Sequence, residues 1–387
     1  MGPSVLLFGG IQQLGRHIMA YILESGLSED IRVLDYEHPD TAYLSRHHRK
    51  LLKQVDFRQM DLGCATTVQR AFERRDGQGW DFVINASFEG EYQLTEKSYC
   101  QRIMRVAELT SREAKARGCR AFIQLSYGIA FRYASSMGLA VEKDFTESRP
   151  HFIRGQSILE AERVVQIPGL PVVILRYAEV YGPDLTFGLA FNIPFYRIYA
   201  QLGDVLNSFA DPQGRMSTVH VQDVARATWH ACLWKSGDLE QEGVETEERK
   251  DILDPVTQDV SIFHLADDGD SRMGTISEYL GNACGSSTNY SGRCFRACML
   301  SALRLNKIRE AVNTRHNTAW MRMLEENNVH RSPFIPYIHP ELLHHFTLGM
   351  EGSLFSRQTG FAYAFPRLTQ AAISDVVDGW IRRGLLP

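Results

Sequence analysis

The first half of the chain alternates short apolar runs with stretches of helical period. SVLLF (4–8), IRVLD (31–35), VDFRQMD (55–61), DFVINAS (81–87), AFIQLS (121–126) and LPVVILRY (170–177) have strand length and composition. Between them the spacing predicts helices: one after Gly15, with Ile18, Met19, Tyr21, Ile22 and Leu23 apolar, then 67–75, 96–117 ending at Gly118, and 156–166. Strands alternating with amphipathic helices imply βαβ units and a doubly wound parallel α/β sheet.

The second half is less regular and reads as a smaller, mainly helical C-terminal lobe. The pattern divides the chain into a sheet domain over 1–185 and a lobe over 186–387, with 219–235 and 261–267 returning to the core as strands. Residues 236–258 are polar and acidic (Asp238, Glu240, Glu242, Glu245, Glu247, Glu248, Asp251 and Asp254) and read as a solvated loop. Residues 275–330 are mostly helical, Pro333, Pro336 and Pro340 mark an extended segment, and 373–384 is a closing helix.

Composition narrows the function classes. A hydrophobic content of 44% over 387 residues supports a sizeable core, and a net charge of −4 gives no overall footprint for nucleic acid or an anionic membrane. Cys64, Cys100, Cys119, Cys232, Cys284, Cys294 and Cys298 form no CxxC pair or His/Cys cluster, so free thiols in a reducing compartment and no metal are expected. No apolar run has membrane-spanning length, and the first strand begins at Ser4, which leaves no room for a leader peptide. A cytoplasmic location is expected.

The first strand runs into Phe8-Gly9-Gly10-Ile11-Gln12-Gln13-Leu14-Gly15-Arg16. A glycine turn between a strand and a helix N-terminus aims backbone N–H groups and a positive dipole end at a pyrophosphate. Asp35, ending the second strand 20 residues beyond Gly15, is placed to bond ribose hydroxyls and to disfavour a 2′-phosphate, hence NAD over NADP.

These residues resemble the extended short-chain dehydrogenase/reductase superfamily, the NAD-dependent epimerase/dehydratase family of Rossmann proteins. FGGIQQLG matches its TGGAGFIG-like segment, with Gly9 and Gly15 kept and Gln12 at the middle glycine. Leu14 lies within the same turn. Asp61-Leu62 resembles the adenine-contacting pair, Asn85-Ala86-Ser87 the segment ending the fourth strand beside the cofactor, RYAEVYGP (176–183) the RxxxVYGP motif, VHVQDVARA (219–227) the VHVxDVAxA motif and FHLAD (263–267) a later strand. The resemblance implies a cofactor site at Gly9, Gln12, Leu14, Gly15, Asp35, Asp61, Leu62, Asn85 and Ala86. Because a Gln12 side chain stands where the pyrophosphate approaches the backbone, any NAD is expected to be weakly held or absent.

The family's catalytic Ser, Tyr and Lys have no counterpart. SILEAERVV (157–165) resembles the family's SKLEAERVV, which places the lysine position at Ile158 and the tyrosine position at Arg154, while the serine position falls on Tyr127. None of Lys50, Lys53, Lys97, Lys115, Lys143, Lys235, Lys250 and Lys307 has Tyr four residues before it. Isoleucine cannot bond a ribose, and arginine is no base at neutral pH. No catalytic residues are therefore expected. Glu179, where relatives often carry Asn for a substrate phosphate, repels a diphosphate.

The favoured expectation is a pseudoenzyme: a Rossmann platform acting with protein partners as a structural or binding subunit of a larger assembly. A cytoskeletal or ciliary assembly fits the N-terminus better than a mitochondrial one, although the accessory Rossmann subunit of mitochondrial respiratory complex I is a family precedent. Two alternatives stand beside it: an NAD-dependent epimerase, dehydratase or reductase in which Tyr127, its pKa depressed by Arg154, serves as acid/base, and a dinucleotide sensor. Nucleic acid is not an expected partner and a small-molecule substrate is doubtful.

Overall fold

Seven fully parallel strands, six of them from the first half of the chain, carry the structure. This computed structural model describes residues 2–74, 76–87, 90, 92, 94–128, 138–146, 150, 152–239, 259–344 and 347–387. Strand β1 (Val5–Phe8) feeds α1 (Gly15–Glu24), followed by β2 (Ile31–Asp35), α2 (Arg46–Leu52), β3 (Asp56–Gln59), α3 (Ala65–Phe72) and β4 (Phe82–Asn85). Then come α4 (Glu96–Tyr99), a single π-turn (Cys100–Met104), α5 (Arg105–Arg117), β5 (Ala121–Tyr127), α6 (Glu142–Thr146), α7 (Ile153–Val164) and β6 (Val172–Tyr177). The helix expected over 96–117 is thus one continuous run with a wide turn inside it, and Gly118 closes it in the left-handed conformation, φ 68°.

The C-terminal half adds β7 (Glu179–Tyr181), α8 (Ile193–Leu202), β8 (Leu206–Ser208), β9 (Thr218–His220), α9 (Val221–Ser236), β10 (Val260–Leu265), α10 (Met273–Cys284) and β11 (Thr288–Tyr290). It ends with α11 (Arg293–Arg304), α12 (Asn306–Glu326), a 3-10 turn (Pro340–His344), α13 (Ser353–Thr359) and α14 (Gln370–Arg382). The main sheet has the order β10-β6-β5-β4-β1-β2-β3, and β7–β9 and β8–β11 form small parallel pairs beside it. Strands β1, β4, β5 and β6 are buried along their whole length, as a parallel sheet covered on both faces requires.

Residues 219–235 depart from the expectation of a returning strand. Only Thr218–His220 is extended; from Val221 the chain is helix α9, with Val221, Val224, Ala225, Thr228, Trp229 and Cys232 buried at helical spacing. The His220 ring caps it by accepting from the Gln222 N–H at 3.2 Å. The strand expected at 261–267 is β10, paired with β6, so the sheet draws its seventh strand from beyond residue 185. Of the acidic stretch 236–258, residues 240–258 lie outside the described residues. All seven cysteines are unpaired, and no described helix is long and apolar enough to cross a membrane.

Two motif residues knit the sheet to the helix above it. Arg176 on β6 and Glu162 on α7 form a fully buried ion pair, Nη2 to Oε2 2.6 Å and Nε to Oε1 2.9 Å. The Ser126 hydroxyl on β5 donates to Glu162 at 2.5 Å, and Arg176 also donates to the Glu142 carbonyl at 2.7 Å. Removing one partner leaves the other charge buried. Glu162→Ala is expected to cost about 3–5 kcal/mol in urea unfolding, whereas the double replacement Glu162→Leu with Arg176→Met costs much less than the sum of its parts.

Candidate functional site

The glycine turn sits at the C-terminal end of β1, the end at which open α/β sheets bind ligands. Gly9 has φ 71°, and a Cβ there would lie 2.6 Å from the Ser87 backbone; one on Gly15 would lie 2.0 Å from the Gly9 carbonyl oxygen. Both glycines are therefore demanded by the packing of the turn against α1 and the end of β4, whatever else the turn does.

The polar groups around this turn bond to the protein itself. Asp35 is completely buried; its carboxylate accepts from the Ile11 N–H at 3.1 Å and the Glu37 N–H at 3.0 Å, with the Gln12 amide at 3.5 Å. Burial pushes its pKa up, against these hydrogen bonds. Gln12 is buried rather than projecting. Gln13 ties the turn to the segment after Tyr181-Gly182-Pro183, donating to the Thr186 hydroxyl at 2.8 Å and accepting from its N–H at 3.0 Å. Arg16, also buried, turns its guanidinium back onto the carbonyls of Ile11 (2.8 Å) and Ala42 (2.9 Å).

The remaining positions line the same sheet edge. Leu14, Leu62 and Ala86 are buried, and the exposed Asp61 accepts from the Gly63 N–H at 2.9 Å. Asn85 donates to Gln124 at 2.9 Å and accepts from the Ser87 N–H at 3.1 Å. Among the described residues no group of three or more His, Cys, Asp or Glu is placed to hold a metal.

Three buried residues of α7, spaced by four, face the sheet edge: Glu162, Ile158 and Arg154. Ile158, expected at the lysine position, closes a void of about 20 Å³ with Leu14, Ala86, Ser126, Tyr127 and Tyr177, room for about one water. Arg154, expected at the tyrosine position, is locked by Glu341 from the 3-10 turn of the lobe, Nη2 to Oε1 2.6 Å and Nε to Oε1 3.0 Å, and lies over the Tyr92 ring at 4.6 Å. Burial opposes the guanidinium charge, yet Tyr92 and Glu341 hold its pKa above the ordinary value.

Tyr127 stacks on Tyr177 at 5.1 Å and donates its hydroxyl to Glu179 at 2.8 Å. Its pKa is not depressed by Arg154, as the enzyme alternative expected. Burial and the Glu179 charge push it well above the ordinary value and outweigh the arginine. Glu179 is buried too, and burial pushes its carboxyl up to about 7 against the Tyr127 hydrogen bond and the Arg154 charge. Tyr127, Arg154 and Glu179 share the wall of a cleft of about 1940 Å³ that runs from Gln12 and Arg16 to α8, α11 and α12 of the lobe.

Sequence reasoning did not find Gln13, Arg16, Tyr92, Thr186 or Glu341. A readable signal existed for Arg16: a cation in the first turn of a helix faces the positive dipole end, so a strong internal use was to be expected. Glu341, 187 residues from Arg154, left none.

Sheet order, glycine turn and lobe define an extended Rossmann protein of the short-chain dehydrogenase/reductase plan. The family model of the NAD-dependent epimerase/dehydratase family matches residues 5–242, and the chain belongs to that family. No curated protein matches the sequence. Among solved structures, the Bordetella bronchiseptica enzyme WbmG in complex with NAD and UDP superposes with a TM-score of 0.65 at 13% identity, over 100% of this chain and 96% of that one. Thermus thermophilus UDP-glucose 4-epimerase with NAD gives 0.61 at 18% identity, over 98% and 99%. Methanobrevibacter ruminantium UDP-N-acetylglucosamine 4-epimerase with UDP-N-acetylmuramic acid gives 0.64 at 12%, over 99% of each chain. At these identities the likeness is one of fold.

The raised Glu179 carboxyl makes stability pH-dependent. Its folded pKa lies above the ordinary value of 4.5, so its contribution is full below that value and is lost as pH rises through about 7. Asp267, pushed up to about 7 mainly by burial, acts with the same sign. Below about pH 6.5 buried histidines of lowered pKa, such as His220 and His264, act with the opposite sign. Urea midpoints are therefore expected to fall between about pH 6.5 and about pH 8, and Glu179→Gln to flatten part of that fall. An unchanged slope in the variant would show that Glu179 is not buried as an acid.

Proposed function

We propose that this chain is a family member that has given up hydride chemistry and serves as a binding platform within a larger assembly, with at most weak NAD binding. The observation that carries this reading is the α7 face: where family members are expected to place Tyr and Lys, Arg154 is committed to Glu341 and Ile158 packs against a void with room for about one water. An aliphatic side chain offers a ribose no hydrogen bond, and a guanidinium neither takes nor gives a proton at neutral pH.

NAD fits the remaining site only in part. The glycine turn and helix N-terminus suit a pyrophosphate. The carboxylate that would take the ribose hydroxyls is already bonded to Ile11, Glu37 and Gln12, and Gln13 binds Thr186 beside the turn. Displacing those bonds costs affinity. By calorimetry NAD is expected to bind weakly, and Gln12→Gly to bind it more tightly.

One observation favours the enzyme reading: Glu179, with its pKa near neutrality on the cleft wall, has the character of a general acid/base. Turnover assays with NAD and nucleotide sugars separate the two. The platform reading expects none, because loss of the family's acid/base group typically costs about 10²–10⁴ in rate and its ribose anchor is gone as well. NAD-dependent turnover abolished by Tyr127→Phe or Glu179→Gln would overturn it.

A further inference from the structure

The lobe end of the cleft is faced with rings. Tyr199 on α8 lies edge-on to His316 of α12 at 5.9 Å, His316 edge-on to Phe195 at 5.4 Å, and Phe195 against Phe191, just before α8, at 5.8 Å. From Phe191 the series continues to Tyr92 at 6.1 Å, which stacks on His339 at 4.8 Å, and His339 meets Tyr337 at 4.6 Å. Seven rings from four parts of the chain thus form one unbroken wall, and all of them line the cleft.

Packing of the lobe alone does not account for this wall. Rings that only fill a core are sealed by their neighbours, whereas these border a cleft of about 1940 Å³. Among the described residues, Nδ1 of buried His316 and Nδ1 of His339 find no partner, an omission rare in a closed core. Exposed Leu202, Phe295 and Ile335 belong to the same cleft, and a folded partner or a second copy meets these first. The half-buried faces of Tyr92, Phe191, Tyr199 and Tyr337 suit a slender ligand instead.

Charge at this end is balanced. Arg154 is paired with Glu341 and already lies over the Tyr92 ring, and Arg296 lies 3.7 Å from Asp211. Arg315 and Arg322 on α12 are matched by Asp204 and Glu326 in the same lining. Burial holds the His316 and His339 rings below the ordinary histidine value, His339 at about 4, so both are uncharged at neutral pH. An ion entering here gives up hydration and finds no excess of opposite charge in return.

We propose that the lobe end of the cleft binds a flat, uncharged ring compound that stacks along the wall between Tyr199 and Tyr337. Ring faces and edges attract other rings beyond the apolar area they bury, and a concave, mainly apolar lining is the usual form of a small-molecule site. UDP and NAD, held by a structural neighbour, are charged and belong to a different class. The inference concerns binding alone and is independent of whether the cleft turns its ligand over.

The test is calorimetric titration of the full chain with 2-naphthol, an uncharged two-ring probe. It is expected to bind with a dissociation constant of about 10–100 μM. Naphthalene-2-sulfonate and 2-naphthyltrimethylammonium, of similar shape but charged, are expected to bind at least about tenfold more weakly. Saturating UDP should leave 2-naphthol binding unchanged. Phe191→Leu and Tyr199→Leu are each expected to weaken it about threefold to tenfold, because leucine keeps apolar bulk and removes the ring. Circular dichroism and urea midpoints that match the parent separate a lost ligand contact from a lost fold in these variants. Absence of 2-naphthol binding, equal binding of either ion, displacement by UDP, or well-folded ring variants that bind like the parent would each overturn the proposal. The comparison among probes needs no variant, so it decides even where a substitution unfolds the chain.

Discussion

The buried pair Arg176–Glu162 is the contact on which the rest of the site depends. Two charges withdrawn from water are tolerable only when their hydrogen-bonding capacity is met, and here Ser126 and the Glu142 carbonyl complete it. The pair fixes α7 in rotation about its axis against the ends of β5 and β6. With Glu162 held, the residues four and eight positions earlier must face the sheet edge as well. The same geometry aims Ile158 and Arg154 there, and the Arg154–Glu341 pair turns that stripe into an anchor for the lobe.

Contacts of the same kind hold the lobe together and tie it to the sheet domain. Asp223, in the helix that follows β9, accepts the N–H groups of Ala364 (2.9 Å) and Phe365 (2.8 Å). Asp184, just after the Tyr-Gly-Pro turn, pairs with Arg383 and lies 3.4 Å from the His48 ring. Burial alone would raise the Asp184 carboxyl, but His48 and Arg383 hold it well below the usual carboxylate range. Trp380 on α14 adds a hydrogen bond to the Leu185 carbonyl at 3.1 Å. The Asp184 and Leu185 contacts join the end of the first 185 residues to α14.

Strands β1 to β6 and the glycine turn were legible because each rests on local pattern: an apolar run of strand length, or a turn that tolerates no side chain. The Gly118 cap was legible for the same reason. Helix α9 was misread because VHVQDV begins with alternating polarity and only later shows helical period, and a single β-residue triplet precedes it. At the site, the motif drew attention to Arg154 and Ile158, but their contacts were not readable. The sequence of α7 does not reveal that Arg154 finds a carboxylate 187 residues away, nor that Glu179 and Tyr127 bond each other. The expected depression of the Tyr127 pKa by Arg154 failed because the sequence pattern said nothing of burial: burial and the Glu179 charge outweigh the arginine.

A glycine turn is weak testimony to a bound nucleotide in this fold. The Cβ clashes at Gly9 and Gly15 arise from backbone packing alone, so the backbone requires both residues whether or not a cofactor is held. Asp35 makes the same point from the polar side. Its carboxylate is met by Ile11, Glu37 and Gln12, and a buried carboxylate so satisfied needs no ligand to be retained. Motif glycines and the β2 carboxylate therefore carry information about the fold before they carry any about a bound nucleotide.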